Sequence, residues 1–364
     1  MTTLRETGGV QWAGMTLAFL IAVGAGGTGD LGAGTVLLLL AVVLLGALPK
    51  ERKGWIWCVA VAAALAGAAH GLLPFAASTL AVLGAVIALW LGAWMLVAQL
   101  AERPRLSGVF GRVQGLAAPL AFGATLLWLW EAVVRALDVP RVILPAPSGI
   151  WARIVTSTDV LWVDFVQTFV KGALSGYAIG VGAAFVFALL VDRSDFLRRG
   201  LLPVGNFLAA LPIIGTAPIM VMWFGFDWPS KAAVVVAMVF FPMLVNTVQG
   251  LAATEAMQRD LMRTYNASWA QSLFKLRLPA AMPFIFNGLK IASTLALIGA
   301  IVAEFFGSPT RGMGFRISTE VGRLQLDMVW AEIAVAALAG SLFYGVIALV
   351  ERGMTFWHPS QRER

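Results

Sequence analysis

The sequence predicts an all-α polytopic membrane protein with about ten transmembrane helices. Three observations predict it. Of 364 residues, 60% are hydrophobic and only 12% are charged, about half the charged fraction of a soluble domain. The mean hydropathy is +0.85. Several apolar runs approach or exceed the roughly 20 residues that a helix needs to cross a bilayer, whereas a barrel strand needs only about 10 residues of alternating polarity.

The spans follow in order. Four lead the chain: Gln11 to Gly26, Leu31 to Leu48, Trp55 to Leu73 and Phe75 to Leu100. After a polar break come Leu116 to Leu137, Phe165 to Val191, Leu201 to Phe226 and Ala232 to Ala252. A charged stretch intervenes before Pro283 to Phe306 and Met328 to Val350. Met15 to Val23 resembles the apolar core of a signal peptide. Glu6 offsets Arg5, however, and further spans follow at once, so an uncleaved first helix is expected.

Charge orients the bundle. Lys50 to Lys53, Arg103 to Arg112, Asp192 to Arg199, the segment 254–279 and the tail Arg352 to Arg364 fall on one side. By the positive-inside rule that side is cytoplasmic, which puts both termini there. Asp30, the 138–164 loop, the Asp227 to Lys231 turn and the 307–327 loop fall outside, although Arg311, Arg316 and Arg323 dilute the contrast. The net charge of +7 is thus accounted for by orientation, and a nucleic-acid partner is not expected. Cys58 is the only cysteine, and His70 and His358 have no carboxylate or Cys nearby at ligand spacing. Neither a disulfide nor a metal site is expected.

A composition boundary falls at 101–116. Before it, Ala, Leu, Val and Gly dominate, which predicts an extension of four helices over 1–105 with no chemistry of its own. After it, Pro, Gly and Asn interrupt the spans. Such breaks are tolerated in a bilayer where backbone is buried in protein or lines a cavity. The transporting part is therefore expected from about 117 onward. Gly172, Gly176 and Gly180 share one helix face, joined by Gly182, and predict close packing of a neighbouring helix. In the seventh span, Asn206 is followed by Pro212, Gly215 and Pro218, which must kink or break that helix. The break could serve as a hinge, open carbonyls to a solute or be a static kink.

The charged stretch reads as a cytoplasmic helix–turn–helix. Thr254 can cap a first helix, with Glu255 in its first turn and Arg259 four residues on. That helix would end near Tyr265, and Asn266 supports the left-handed stop. Ser268 and Gln271 have capping-box spacing, so a second helix starts at Ser268, with Pro279 following it.

These residues carry a resemblance. The permease subunits of binding-protein-dependent ABC importers share a signature: E-A-A, three residues, G, nine residues, I-x-L-P. In this chain the frame gives Asp260-Leu261-Met262, three residues, Asn266, nine residues, then Leu276-Arg277-Leu278-Pro279. Asn266 replaces the glycine and the alanine pair is lost. Ala267-Ser268, Pro283 and Gly288-Leu289-Lys290 also resemble the family. Within it, the similarity is to the branch importing nitrate, sulfonates, taurine and pyrimidine precursors of thiamine. Ile143 to Ser148, Phe224-Gly225-Phe226, Phe241 to Thr247, Ala303-Glu304 and Gly312-Met313-Gly314 resemble markers of that branch. The resemblance spans roughly 117–358 and leaves out the four leading spans.

The resemblance implies a six-helix type I importer permease (MetI-like) domain over 117–358 in a bacterial inner membrane. An extracytoplasmic binding protein would deliver the solute, and two permease copies, as a homodimer, would surround the path. Two copies of an ATP-binding subunit would grip the segment 254–279. Asp260, Asn266, Ala267, Ser268, Trp269, Phe274, Leu278 and Pro279 would form that coupling site, Trp269 and Phe274 serving as anchors in the ATPase or as packing against the chain's own helices. No G-x-x-x-x-G-K-[ST] run occurs, so this chain is not expected to be an enzyme or to hold a cofactor. ATP and Mg would sit on the partner.

Of the remaining intramembrane polar groups, Glu131, Lys171 and Lys290 lie near span ends and read as structural. Asn206, Asn246 and Glu304, with Pro212 and Gly215, are candidates for the path or a gate, and Asn287 is noted as a further polar residue in these spans. Two further readings stand beside the importer. A secondary transporter or channel acting without an ATPase would want acidic groups deep in several spans. A scaffold would use the leading helices as an interaction module.

Overall fold

The computed structural model describes residues 15–18, 20, 33–46, 55–72, 79–102, 108–209, 213–307 and 311–357. Among them every regular element is helical. The chain forms two compact units, residues 1–151 and 152–364.

The first unit contains α1 (Ala33–Gly46), α2 (Trp55–Leu72), α3 (Thr79–Ala101) and α4 (Gly108–Ala136). α1 packs on α2 and α3, and α3 packs on α4. Small side chains allow this. Val61, Ala64, Leu65 and Ala68 of α2 meet Leu39 and Val42 of α1 and Ala85 and Leu89 of α3 in one core that also holds Cys58 and Met15. Close approach in a membrane relies on such residues, because lipid is as apolar as the packed surface and contributes no hydrophobic drive.

A short helix α5 (Pro147–Thr156) follows. Its start is tied to α4: Glu131 accepts the Ser148 backbone N–H at 2.8 Å and the Ser148 hydroxyl at 2.7 Å. Arg135 joins from the next turn, donating Nε to Glu131 at 2.5 Å. The carboxylate thus satisfies a donor left open at the first turn of α5.

The second unit is built on α6 (Thr158–Arg193), α9 (Trp228–Ala252), α11 (Trp269–Gly307) and α13 (Leu326–Met354), each long and apolar enough to cross a membrane. Between them lie α7 (Asp195–Ala209), α8 (Ile213–Phe224), α10 (Ala256–Thr264) and α12 (Met313–Gly322). In the first unit Gly84–Ala101 and Gln114–Ala136 also qualify as spans, and Thr35–Leu45 is apolar but shorter. Among the described residues, helix occupies nearly all of the expected spans from the second, Leu31 to Leu48, onward. The first, Gln11 to Gly26, falls almost entirely outside the described residues. The seventh is two helices, α7 and α8, and the intervening residues 210–212 are outside the description.

α9 lies at the centre of the second unit, against α6 on one side and α11 on the other. A side chain at Gly176 would come within 2.5 Å of Val235, and one at Gly180 within 2.4 Å of Val239. Gly172 has ordinary contacts with Ala300 and Lys231, whereas Gly182 faces open space and takes no part in the expected packing. On α6 the buried positions Asp164, Thr168, Gly172, Gly176, Gly180, Ala184 and Ala188 recur every four residues. In a pure α-helix of 3.6 residues per turn that rhythm would walk off the interface by about 40° per step. Val166–Leu174 is wound in the wider π form, which turns the face back.

Two corrections to the sequence reading follow. Lys231 is not in a loop: α9 begins at Trp228, and Lys231 is buried in its first turn. Pro279 does not end a helix. α11 runs through it, because the wide turn Leu273–Arg277 ends just before and absorbs the missing amide donor.

Candidate functional site

The second unit has a polar region at each end of α11. The first is the segment between α9 and the membrane part of α11. Glu255, not Thr254, is the N-cap of α10: its N–H donates to the Gln258 side chain at 3.3 Å, while Thr254 is buried one residue earlier. The helix stops at Asn266, which takes φ 50°. Ala267 N–H then donates back to Met262 O at 3.0 Å, using an open carbonyl of the last turn. Ser268 restarts the chain with a reciprocal capping box: Gln271 N–H donates to Ser268 Oγ at 3.2 Å, and Ser268 N–H to Gln271 Oε1 at 2.8 Å.

This knob exposes apolar surface. Met257, Leu261 and Tyr265 recur every four residues along α10 and are 79%, 57% and 79% exposed. Phe274 and Trp269 are exposed as well, and the Arg193 guanidinium lies 5.2 Å from the Trp269 ring centre. Leu278 packs inward on the core formed by α6 and α9. Asp260 is exposed and pairs only with Arg263 of its own helix, at 3.3 Å. The stripe on α10 escapes the sequence reading, although its four-residue spacing is written in the chain.

The second polar region surrounds the junction of α11 and α12. Glu304 is buried and accepts the Thr168 hydroxyl, at 2.9 and 2.8 Å, and Gly314 N–H at 2.8 Å. Thr168 Oγ in turn accepts Met313 N–H at 2.7 Å. Asp164 accepts Gly312 N–H at 2.7 Å and Arg316 Nε at 2.8 Å. Three donors at the start of α12 are thus each held by a side chain from another element. Lys231 donates to Phe226 O and Gly307 O, closing the end of α11. Glu332 of α13 is fully buried in the same cluster, within electrostatic reach of Asp164 and Arg316. The two glycines here are obligatory. Gly312 takes φ 122°, and a side chain at Gly314 would lie 2.1 Å from Ile301 O. Of this cluster only Glu304 is a site candidate of the sequence reading, with Gly312 and Gly314 quoted as markers. Asp164, Thr168, Lys231 and Glu332 escape it.

The other candidates lie apart. Asn246 accepts from Asn287 Nδ2 at 3.0 Å and donates to Pro242 O at 2.8 Å, bridging α9 and α11 on an exposed face. Gly215 is exposed in the first turn of α8, where an added side chain would meet none of the described residues within 4 Å. Asn206 lies in α7, but its side chain and Pro212 fall outside the description. Lys290 pairs with Glu351 at 2.8 Å, joining α11 to α13.

Residues 176–356 match the model of a family described as the binding-protein-dependent transport system inner membrane component. The chain is 32% identical over 241 residues to a probable ABC transporter permease protein of Haemophilus influenzae, which covers 65% of this chain and 96% of that one. It is 30% identical over 243 residues to a formylaminopyrimidine transport permease of Halalkalibacterium halodurans, at 67% and 96% coverage. A putative aliphatic sulfonates transport permease of Bacillus subtilis is 28% identical over 254 residues, at 69% and 90% coverage.

Proposed function

The chain belongs to the family of binding-protein-dependent transport system inner membrane components, and from that premise we propose that it forms the path of an ABC importer for a small nutrient. It is a multi-pass membrane transport subunit, not an enzyme. The solute would arrive on an extracytoplasmic binding protein, and a separate ATPase, holding ATP and Mg, would drive the cycle. The observation that carries this reading is the rigid knob at 254–279. It stands in the family's frame, its turn is held by Asn266 and Ser268, and it presents Met257, Leu261, Tyr265 and Phe274 outward. Exposed apolar groups on a charged segment suit a protein groove better than water. Asp260, Ala267, Trp269, Leu278 and Pro279 complete the coupling segment, with Trp269 steadied by Arg193.

In this reading the knob and the basic loops face the cytoplasm of a bacterium, as do both termini. A second copy of the chain lies across the path. α11 offers it a face: Phe284, Asn287, Ile291, Thr294 and Ile298 are exposed at alternating steps of three and four. Asn246 and Asn287 line the path and Glu304 holds its far end. Asn206, Pro212 and Gly215 of the seventh span belong to the path or its gate. Gly172, Gly176 and Gly180 keep α6 on α9 throughout the cycle. The helices before residue 105 are accessory. The cargo is a thiamine-type pyrimidine first, then a sulfonate, taurine or nitrate, in keeping with relatives named for formylaminopyrimidine, aliphatic sulfonates and taurine.

The test is expression with the neighbouring ATPase and binding protein. The ATPase should copurify, and uptake should need ATP. Ala267→Arg, or deletion of 266–276, should abolish uptake while the protein still inserts. Uptake that survives the deletion would sink the proposal. One observation favours the secondary transporter: Asp164, Glu304 and Glu332 are buried carboxyl groups in membrane helices. Uptake driven by an ion gradient without ATP would decide for it.

A further inference from the structure

Arg277 enters the family frame only as a spacing residue, yet its side chain joins three helices. Its Nη1 donates to Asp192 Oδ2 at 2.7 Å and its Nη2 to Asp192 Oδ1. Its Nε and Nη2 also donate to Leu251 O, at 3.1 and 3.0 Å. Asp192 lies in the last turn of α6, and Leu251 in the last turn of α9. Arg277 itself sits where the knob passes into the membrane part of α11. A carboxylate near a helix C-terminus is disfavoured by the helix dipole, and a terminal carbonyl lacks a helical donor. The guanidinium fork answers both at once, which the single ammonium of a lysine cannot.

Two features set this contact apart from a surface ion pair. First, it is shielded: the side chains of Arg277 and Asp192 are 17% and 7% exposed. One turn earlier, Leu273 is buried in the same core as Val191 and Leu251. An apolar and a polar contact, four residues apart, therefore fasten the same helical turn to the same two helix ends. Second, that turn is the wide one, Leu273–Arg277. Phe274 and Lys275 of the same turn are exposed. One turn of helix thus faces outward with one pair of residues and holds the bundle with another.

We propose that Arg277 is a positioning residue that passes movement of the knob into α6 and α9, through Asp192 and the carbonyl of Leu251. It rests on the importer reading above. Without the fork, the knob still docks, but its displacement bends the wide turn instead of moving the helices. ATP hydrolysis is then uncoupled from rearrangement of the membrane part.

The experiment uses the full permease–ATPase complex in proteoliposomes and needs no identified solute. The parent carries Cys58→Ala and Thr294→Cys, a reporter on the face that α11 turns toward the path and the second copy, and its rate of alkylation by N-ethylmaleimide is read with and without ATP. Arg277→Ala and Asp192→Asn attack the contact from its two sides, and Arg277→Lys keeps the charge without the fork. The expected result is an ATP-driven change in alkylation that falls about tenfold, the scale of an ordinary coupling free energy. Arg277→Ala and Asp192→Asn should show it fully and Arg277→Lys in part. The copurified ATPase should go on hydrolysing ATP. A merely structural role would lower hydrolysis, assembly and alkylation response together, and that result overturns the proposal. So does an unchanged response in Arg277→Ala and Asp192→Asn. If no ATPase copurifies with the parent, the importer reading itself fails, and this inference with it.

Discussion

The two polar ends of α11 solve opposite problems with similar residues. Around Glu304 the polar groups turn inward. Asp164, Thr168 and Glu304 each take an N–H from α12, and Lys231 closes the end of α11. Around Asn266 the polar groups close their own local turns, and the apolar side chains Met257, Leu261, Tyr265 and Phe274 turn outward. The first arrangement spends its hydrogen bonds on holding separate helices together. The second spends them mostly on the shape of a single segment, with Arg277 tying its end to α6 and α9, and leaves its sticky surface free. On the proposed reading the first polar region is a seal and the second a handle, and the direction of the apolar residues separates them.

The largest effect should come from the seal. Glu304→Ala removes the acceptor of Thr168 and Gly314 and the carboxylate that faces Lys231. Breaking a buried charged network by removing one partner costs about 3–5 kcal/mol. The purified protein should therefore unfold well below the wild-type temperature in detergent, followed by intrinsic fluorescence. Glu304→Gln, which keeps an acceptor oxygen for these donors, should fall between the two. A Glu304→Ala protein as stable as the wild type would mean that the network is not what holds α12.

Local features were legible in the sequence and long-range ones were not. Asn266 and Ser268 announce a stop and a restart through residues at most three apart. Gly176 and Gly180 announce a close approach by spacing alone, although the neighbour, α9, had to come from the structure. Thr168 and Glu304 are 136 residues apart, and Arg277 and Asp192 are 85 apart. Nothing in either local pattern names the other. The sequence places Lys231 in a loop, because a charge beside Asp227 and Pro229 looks like a turn. The carbonyls that make it tolerable inside a helix belong to Phe226 and Gly307. The sequence marks Pro279 as a stop because proline usually is one, and a wide turn is not visible in composition. The core of the first unit was readable as apolar helices, but its partners depend on which small residues meet.

On the handle, backbone shape comes next in size. Asn266 holds φ 50°, a conformation that costs an L-residue about 1–2 kcal/mol and that Asn and Gly tolerate best. Asn266→Val places a β-branched side chain there and should distort the turn. Asn266→Gly restores the family's usual residue and should be neutral or better. The two substitutions should separate fold from partner binding. Asn266→Val should lower ATPase copurification while shifting the detergent unfolding temperature far less than Glu304→Ala. Equal thermal losses for Asn266→Val and Glu304→Ala would erase the distinction between handle and seal.

Ser268→Ala should be the mildest. It removes the oxygen that accepts Gln271 N–H at 3.2 Å and leaves the reciprocal bond, Ser268 N–H to Gln271 Oε1 at 2.8 Å, in place. Loss of such a cap costs about 1 kcal/mol. α11 is 39 residues long and anchored in the core, so the cost should appear as fraying of its first turn rather than as unfolding. Hydrogen exchange should quicken at Gln271 and its neighbours and remain unchanged around Glu304. Because Trp269 and Phe274 ride on that turn, the affinity for the ATPase should fall only a few-fold, about the factor that 1 kcal/mol allows. Exchange that quickens equally at both ends of α11 would mean that the helix moves as one rigid rod, with no separate handle.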